Sequence, residues 1–212
     1  MTLEKALTGV DAVFAGLRSL ESELARADIL IMPYGSAFPQ AGWDVIRRYL
    51  ESGGGLVNLG GVPFSVPVTR QGDVWSAGIP QSGYHKALGI TQSFVVPASS
   101  ISALTAPGEP EALKGLPDGI SVNEVYELYV RFADTIDHPS ESGSAGTKDA
   151  LIRPLVLGID GDGNTVAAPV VSIDRLIGDF AGGKWILAAF SGTITEEGIG
   201  NLVGFASVGV AE

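Results

Sequence analysis

Reactive side chains are few in this sequence. It holds two histidines, His85 and His138, and no cysteine. That excludes a thiolate nucleophile, a disulfide framework and a thiolate metal site. A catalytic triad would then need a hydroxyl with a base beside it, and a histidine is the natural base. His85 stands in Gly83-Tyr84-His85-Lys86, at an expected helix start from which it can line a crevice. His138 precedes Pro139 in a polar stretch, residues 137–147, with the composition of a solvated loop. Two histidines on separate segments make no zinc ligand set, and no metal is expected.

The carboxylates add little chemistry. Asp160-Gly161-Asp162-Gly163-Asn164-Thr165 places oxygen ligands at alternate positions, as a calcium loop does. Such a loop then asks for Gly sixth and Glu twelfth, where this chain has Thr165 and Val171. Between two β-rich segments the run reads better as a hairpin turn. Glu124 and Glu127 are three apart on an expected strand, which puts them on opposite faces and rules out an acid/base pair. Glu124 with Tyr126 and Tyr129 would suit a sugar-stacking surface; an amphipathic strand explains the same residues. Gly198, Gly200 and Gly204 miss the dinucleotide spacing and fit close helix packing. No catalytic set and no cofactor is expected.

The elements that would position these groups follow from composition and pattern. The chain has 212 residues, a net charge of −11, 45% hydrophobic and 17% charged residues. It is long and apolar enough to fold around a real core, and too acidic for a nucleic-acid grip or a polybasic membrane patch. No apolar run approaches the length that spans a bilayer, and no secretory leader pattern opens the sequence, so no membrane partner is expected and the compartment is left open.

Residues 20–27 read as a short helix, and Ile29-Leu30-Ile31-Met32 as a strand buried on both faces. Residues 40–51 form an amphipathic helix with Trp43, Ile46, Tyr49 and Leu50 inward, stopped by Gly53-Gly54-Gly55. Residues 56–59 give the next strand, completing a right-handed βαβ unit. Upstream, residues 10–14 suit a strand and 3–7 the tail of a helix. Downstream come a hairpin over 66–78, a short helix over 84–88, a strand over 93–96 and a Pro/Gly/Ser-rich connection to about 119. Strands follow over 125–132, 151–159, 166–173 and 185–190, then a helix over 195–208 with an acidic first turn.

The stretches Ala27-Asp28-Ile29-Leu30-Ile31-Met32-Pro33-Tyr34-Gly35 and Gly53-Gly54-Gly55-Leu56-Val57-Asn58-Leu59-Gly60-Gly61, with the helix between them, resemble the class I glutamine-amidotransferase-like fold. The likeness covers roughly residues 20–65 and is nearest to the non-catalytic versions attached to bacterial glycoside hydrolases and other carbohydrate-active proteins. It implies a flavodoxin-like open parallel sheet with a β-rich extension in the second half. The whole of 1–212 would then be one domain: a core of 1–65, 84–100 and 185–212, and an extension of 120–185. Such a fold opens with a strand before the first helix, so a chain cut from a longer parent is expected.

The resemblance also implies a nucleophile elbow after the second strand, where a Cys would be held on a strained turn. Here those positions are Gly60 and Gly61, and Ser65 lies beyond Pro63. The expected function is therefore a non-catalytic structural or interaction module. Its partners would be other domains of the parent protein, with carbohydrate and a homo-oligomer left open. The alternatives are a sugar-binding module, or a hydrolase of sugars or esters. Either would use a crevice near Gly60 and Gly61 lined by Tyr34, Ser36, Asn58 and His85.

Overall fold

The computed structural model describes residues 3–107, 113, 115–132, 135–137 and 150–208. Its central layer is a six-stranded sheet in the order β1 (Ile29–Met32), β3 (Gly55–Leu59), β12 (Lys184–Ala188), β11 (Thr165–Arg175), β10 (Ala150–Ile159) and β7 (Ala103–Thr105). β1, β3 and β12 run parallel, with Leu30 opposite Leu56 and Leu56 opposite Trp185. β11, β10 and β7 continue the sheet antiparallel. The chain is thus α/β with a mixed sheet.

Strands that the sequence assigns to a β-rich extension are built into this same layer. The physical reason is the turn between them: Asp160 Oδ1 accepts from the amides of Asp162 and Asn164 at 2.9 and 2.8 Å, and Gly163 takes a φ of 87°. A tight turn of this kind joins neighbouring antiparallel strands and leaves β11 to pair with β12 on its other side. The run 160–165 is therefore the hairpin turn expected, and its amides hold the Asp160 carboxyl below the ordinary range.

Consecutive residues of the central strands enter different cores. Leu56, Val171 and Trp185 belong to one buried cluster, Val57, Val170 and Ile186 to the other. Side chains alternate across a strand, so a sheet covered on both faces demands the continuous apolar runs seen in the sequence. One cover is α5 (Glu196–Ser207), which packs Ile199, Leu202 and Val203 against the sheet. Thr195 caps it, its Oγ1 accepting from the Gly198 amide at 3.1 Å. α1 (Leu3–Ala6) leans on α5. The opposite cover is α2 (Leu20–Leu24) with α3 (Trp43–Glu51), whose Ile46, Tyr49 and Leu50 point inward. A 3-10 turn over Gln40–Gly42 leads into α3, and Gly53 at φ 90° ends it.

Two smaller sheets flank this layer. β6 (Ile90–Pro97), β8 (Ile120–Phe132) and β13 (Phe190–Ile194) form one in the order β13-β8-β6, with β9 (Thr135–Asp137) paired to β8. The expected strand at 93–96 is the middle of β6, which belongs here and not to the parallel core. β2 (Ala37–Pro39), β4 (Val66–Gln71) and β5 (Val74–Ala77) form the other, and the β4–β5 pair is the expected hairpin. α4 (Gly83–Ala87) precedes β6.

The expected strand at 10–14 is not formed. Residues 11–16 take no regular secondary structure and join no sheet, because the preceding helix packs into the buried cluster on one face of the central layer and the following helix into that on the other. The segment therefore crosses the edge of β1 instead of running along it. β1 is in turn an edge strand, and Ile29, Leu30 and Ile31 are only half-buried, not sealed on both sides as the apolar run suggests.

Candidate functional site

At the carboxyl ends of β1 and β3 the chain makes two facing turns. Tyr34-Gly35-Ser36 leaves β1 and Gly60-Gly61 leaves β3, with φ of 61° at Gly35, 105° at Gly60 and 67° at Gly61. Glycine is required on both counts of conformation and space: a Cβ on Gly35 would collide with the Gly60 carbonyl, and one on Gly61 with Ser36 Oγ. The turns are sewn together by polar groups. The Val62 amide donates to Ser36 Oγ at 2.9 Å, the Gly61 amide to the Phe190 carbonyl at 2.8 Å, and Asn58 Nδ2 to the Gly60 carbonyl at 2.8 Å. Val66 N–H closes the loop on the Ser36 carbonyl at 2.9 Å.

Beneath the turns lie four rings in edge-to-face contact. Phe38 is 5.7 Å from Trp43, 5.6 Å from Phe64 and 4.8 Å from Tyr84 between centroids. Trp43 also meets Phe64 and Tyr84, at 5.5 and 5.0 Å. Phe64 occupies a left-handed backbone conformation, φ 54°, rare for a residue with a side chain. Its ring, buried in this cluster, holds the backbone there.

Ser36, Asn58, Gly60 and Gly61 are thus brought together as the sequence suggests, but their polar groups are turned to each other. Tyr34 projects outward, 82% exposed. His85 is buried, with Nδ1 making no hydrogen bond, and it joins none of the contacts of the turns. Burial, helped by the neighbouring Lys86 charge, lowers its pKa to about 4, so its imidazole is neutral at neutral pH. His138 and most of the polar stretch around it lie outside the described residues. Glu127 is buried and accepts the Ala168 amide at 2.7 Å, whereas Glu124 is on the surface beside Tyr126 Oη. Tyr129 falls across the strand from those two, so the three do not make one stacking surface. Among the described residues there is no cluster of three metal-ligating side chains, and no helix is long and apolar enough to cross a membrane.

A large opening lies elsewhere. A cavity of about 1800 Å³ borders the outer edge of β1. Its floor is β1; Leu20, Leu24 and Ile46 line it from one face of the sheet, and Ile199 and Val203 from the other. The crossing segment 10–17 forms its outer wall, and Tyr34, Gly60 and Trp75 its upper end. Val10, Val13, Phe14 and Leu17 are 42%, 66%, 63% and 40% exposed, and Trp75 49%. Sequence reasoning missed these residues as a site. The apolar composition of residues 10–14 points to a strand, and nothing in it marks the segment as a cavity wall.

The sequence matches no protein-family model and no curated protein.

Proposed function

We propose that the chain is a non-catalytic structural or interaction module of a larger carbohydrate-active protein, on a flavodoxin-like, glutamine-amidotransferase-like core. What carries this reading is the contrast at the glycine turn. The position where the resemblance implies a nucleophile has no side chain, and Ser36 Oγ and Asn58 Nδ2 beside it are bonded to backbone groups of the turn. The exposed side chains of Val10, Val13, Phe14, Leu17, Tyr34 and Trp75 instead line the cavity beside β1, an apolar surface of the kind that docks other protein. A hydrolase is disfavoured, since Ser36 Oγ accepts the Val62 amide and His85 Nδ1 makes no hydrogen bond to it.

The test is turnover of chromogenic glycosides and carboxylic esters by the purified chain. No turnover above the buffer rate is expected, and turnover abolished by Ser36→Ala or His85→Ala would overturn the reading. The exposed rings of Tyr34 and Trp75 on one cavity wall favour a second reading, a sugar-binding module without catalysis. Glycan-array binding that is lost in Tyr34→Ala would establish it, and an array without signal for the unaltered chain would remove it.

A further inference from the structure

Beside the outer edge of β1 the fold has the space and the chemistry for one more strand. We propose that a second copy of this chain supplies it, residues 11–16 of each copy docking along β1 of the other in a reciprocal exchange. The proposal rests on the interaction-module reading and names its partner.

Three observations converge on a strand as the occupant. β1 is paired by β3 on one side only, and no described strand pairs with its other side, so a row of backbone donors and acceptors faces the cavity. The cavity lies in line with the sheet, between the helices of its two faces, and is lined from both buried clusters. An added strand at the usual spacing of about 4.8 Å would therefore be covered on both faces and must be apolar throughout. Finally, Ile29-Leu30-Ile31-Met32 has no charge and no proline within it, so what guards this edge is its shortness and the crossing segment 10–17.

This chain itself contains the matching piece. Ala12-Val13-Phe14-Ala15 is four apolar residues long, as β1 is, and among the described residues no other run of that kind lies outside a helix or strand. Its backbone is free: between the turn closed by Val10 N–H on Leu7 O and that closed by Ser19 N–H on Gly16 O, no backbone hydrogen bond holds it. It cannot fill its own slot while both tethers hold, since it crosses the β1 edge from one face of the sheet to the other. The amino-terminal tether is the weak one, because α1 is four residues long and has no fully buried residue, leaving Leu7 and the half-buried Leu3 and Ala6 as its anchors. Release of α1 frees the arm, and exchange between two identical copies closes both slots by one two-fold operation.

The experiment is light scattering on the eluting chain over roughly a hundredfold range of concentration. A dimer fraction that rises with concentration is expected, with its midpoint shifted at least about tenfold upward in Phe14→Asp, since the buried ring would be lost. Ile177→Asp, an exposed apolar position that does not line the cavity, should leave the midpoint in place. Because the native chain has no cysteine, chains carrying Val13→Cys and chains carrying Ile31→Cys can be mixed and oxidised. A mixed disulfide dimer identified by mass is expected. A monomer at every concentration, or a dimer indifferent to Phe14→Asp without the mixed disulfide, overturns the proposal. So does an intrachain disulfide in the double variant without mixed dimers, which would show the arm closing on its own chain. Turnover in the hydrolase assay would defeat the module reading instead, so the two failures are told apart.

Discussion

The glycine turns at the ends of β1 and β3 and the lateral edge of β1 are close neighbours with opposite character. At the turns, amides, the Ser36 hydroxyl and Asn58 Nδ2 are bonded to near neighbours, although Asn58 Oδ1 is buried without a partner, and four packed rings lie beneath. At the edge, backbone groups lack partners and apolar side chains stand in solvent around a cavity of about 1800 Å³. The difference teaches that topology marks where a site belongs, whereas the state of the hydrogen-bonding groups shows which surface is available.

Variants can break or sharpen this contrast. The largest effect is expected beneath the turns, where Phe64→Ala removes a ring that is almost wholly buried and should cost about 3–5 kcal/mol in urea unfolding. Phe64→Gly should cost about 1 kcal/mol less than Phe64→Ala, because glycine takes a left-handed φ without strain. If the two variants are equally unstable, the backbone there is not strained. Next, Gly61→Ala combines a φ of 67° with a collision on Ser36 Oγ. A loss of about 2 kcal/mol is expected, and an unchanged denaturation midpoint would mean that the turn is as adaptable as the edge.

His85 gives a third, pH-dependent handle. Its folded pKa of about 4 lies below the ordinary 6.5. Between those values the unfolded chain binds the extra proton, so stability is full above pH 6.5, declines as pH falls, and this contribution is gone below pH 4. From pH 7 to 5 the expected loss is about 1–2 kcal/mol. His85→Leu should flatten that part of the profile, and an equal slope in the variant would assign it to other groups. The smallest effects belong to the cavity rim: Tyr34→Ala and Trp75→Ala should stay within about 0.5 kcal/mol of the parent. A larger loss would mean that the rim is part of the core, and the contrast would fail.

Much of the scaffold was legible because its signals are local. The apolar run at 29–32, the amphipathic spacing of Trp43, Ile46, Tyr49 and Leu50, and the glycine stop at 53–55 each specify an element within their own few residues. The turn at 160–165 was equally readable, since Asp160 bonds amides two and four positions on. What could not be read depends on distant partners. Nothing in residues 184–188 says that they lie between β3 and β11, and nothing near residue 103 shows that β7 pairs with β10. The site divides in the same way. Gly60, Gly61, Ser36 and Asn58 are legible because they stand at or beside the ends of apolar runs. His85 was expected at the crevice, but the sequence around it carries no sign of its burial. The segment 10–14 has the composition of a strand, and only the tethers on either side of it, visible in three dimensions, explain why it is not one.

The position of β12 in the sheet also bears on how the protein is made. β3 is completed only when β12 arrives, with Leu56 paired to Trp185. A ribosome releases the chain amino end first, so β1 and β3 emerge long before the strand that seals them. During that interval the β1–β3 pair has two open edges instead of one, both lined by short apolar runs. Synthesis rate and chaperone supply, more than the stability of the finished fold, are then expected to govern the yield of native protein, since ladders closed late by distant segments form slowly and aggregate while they wait.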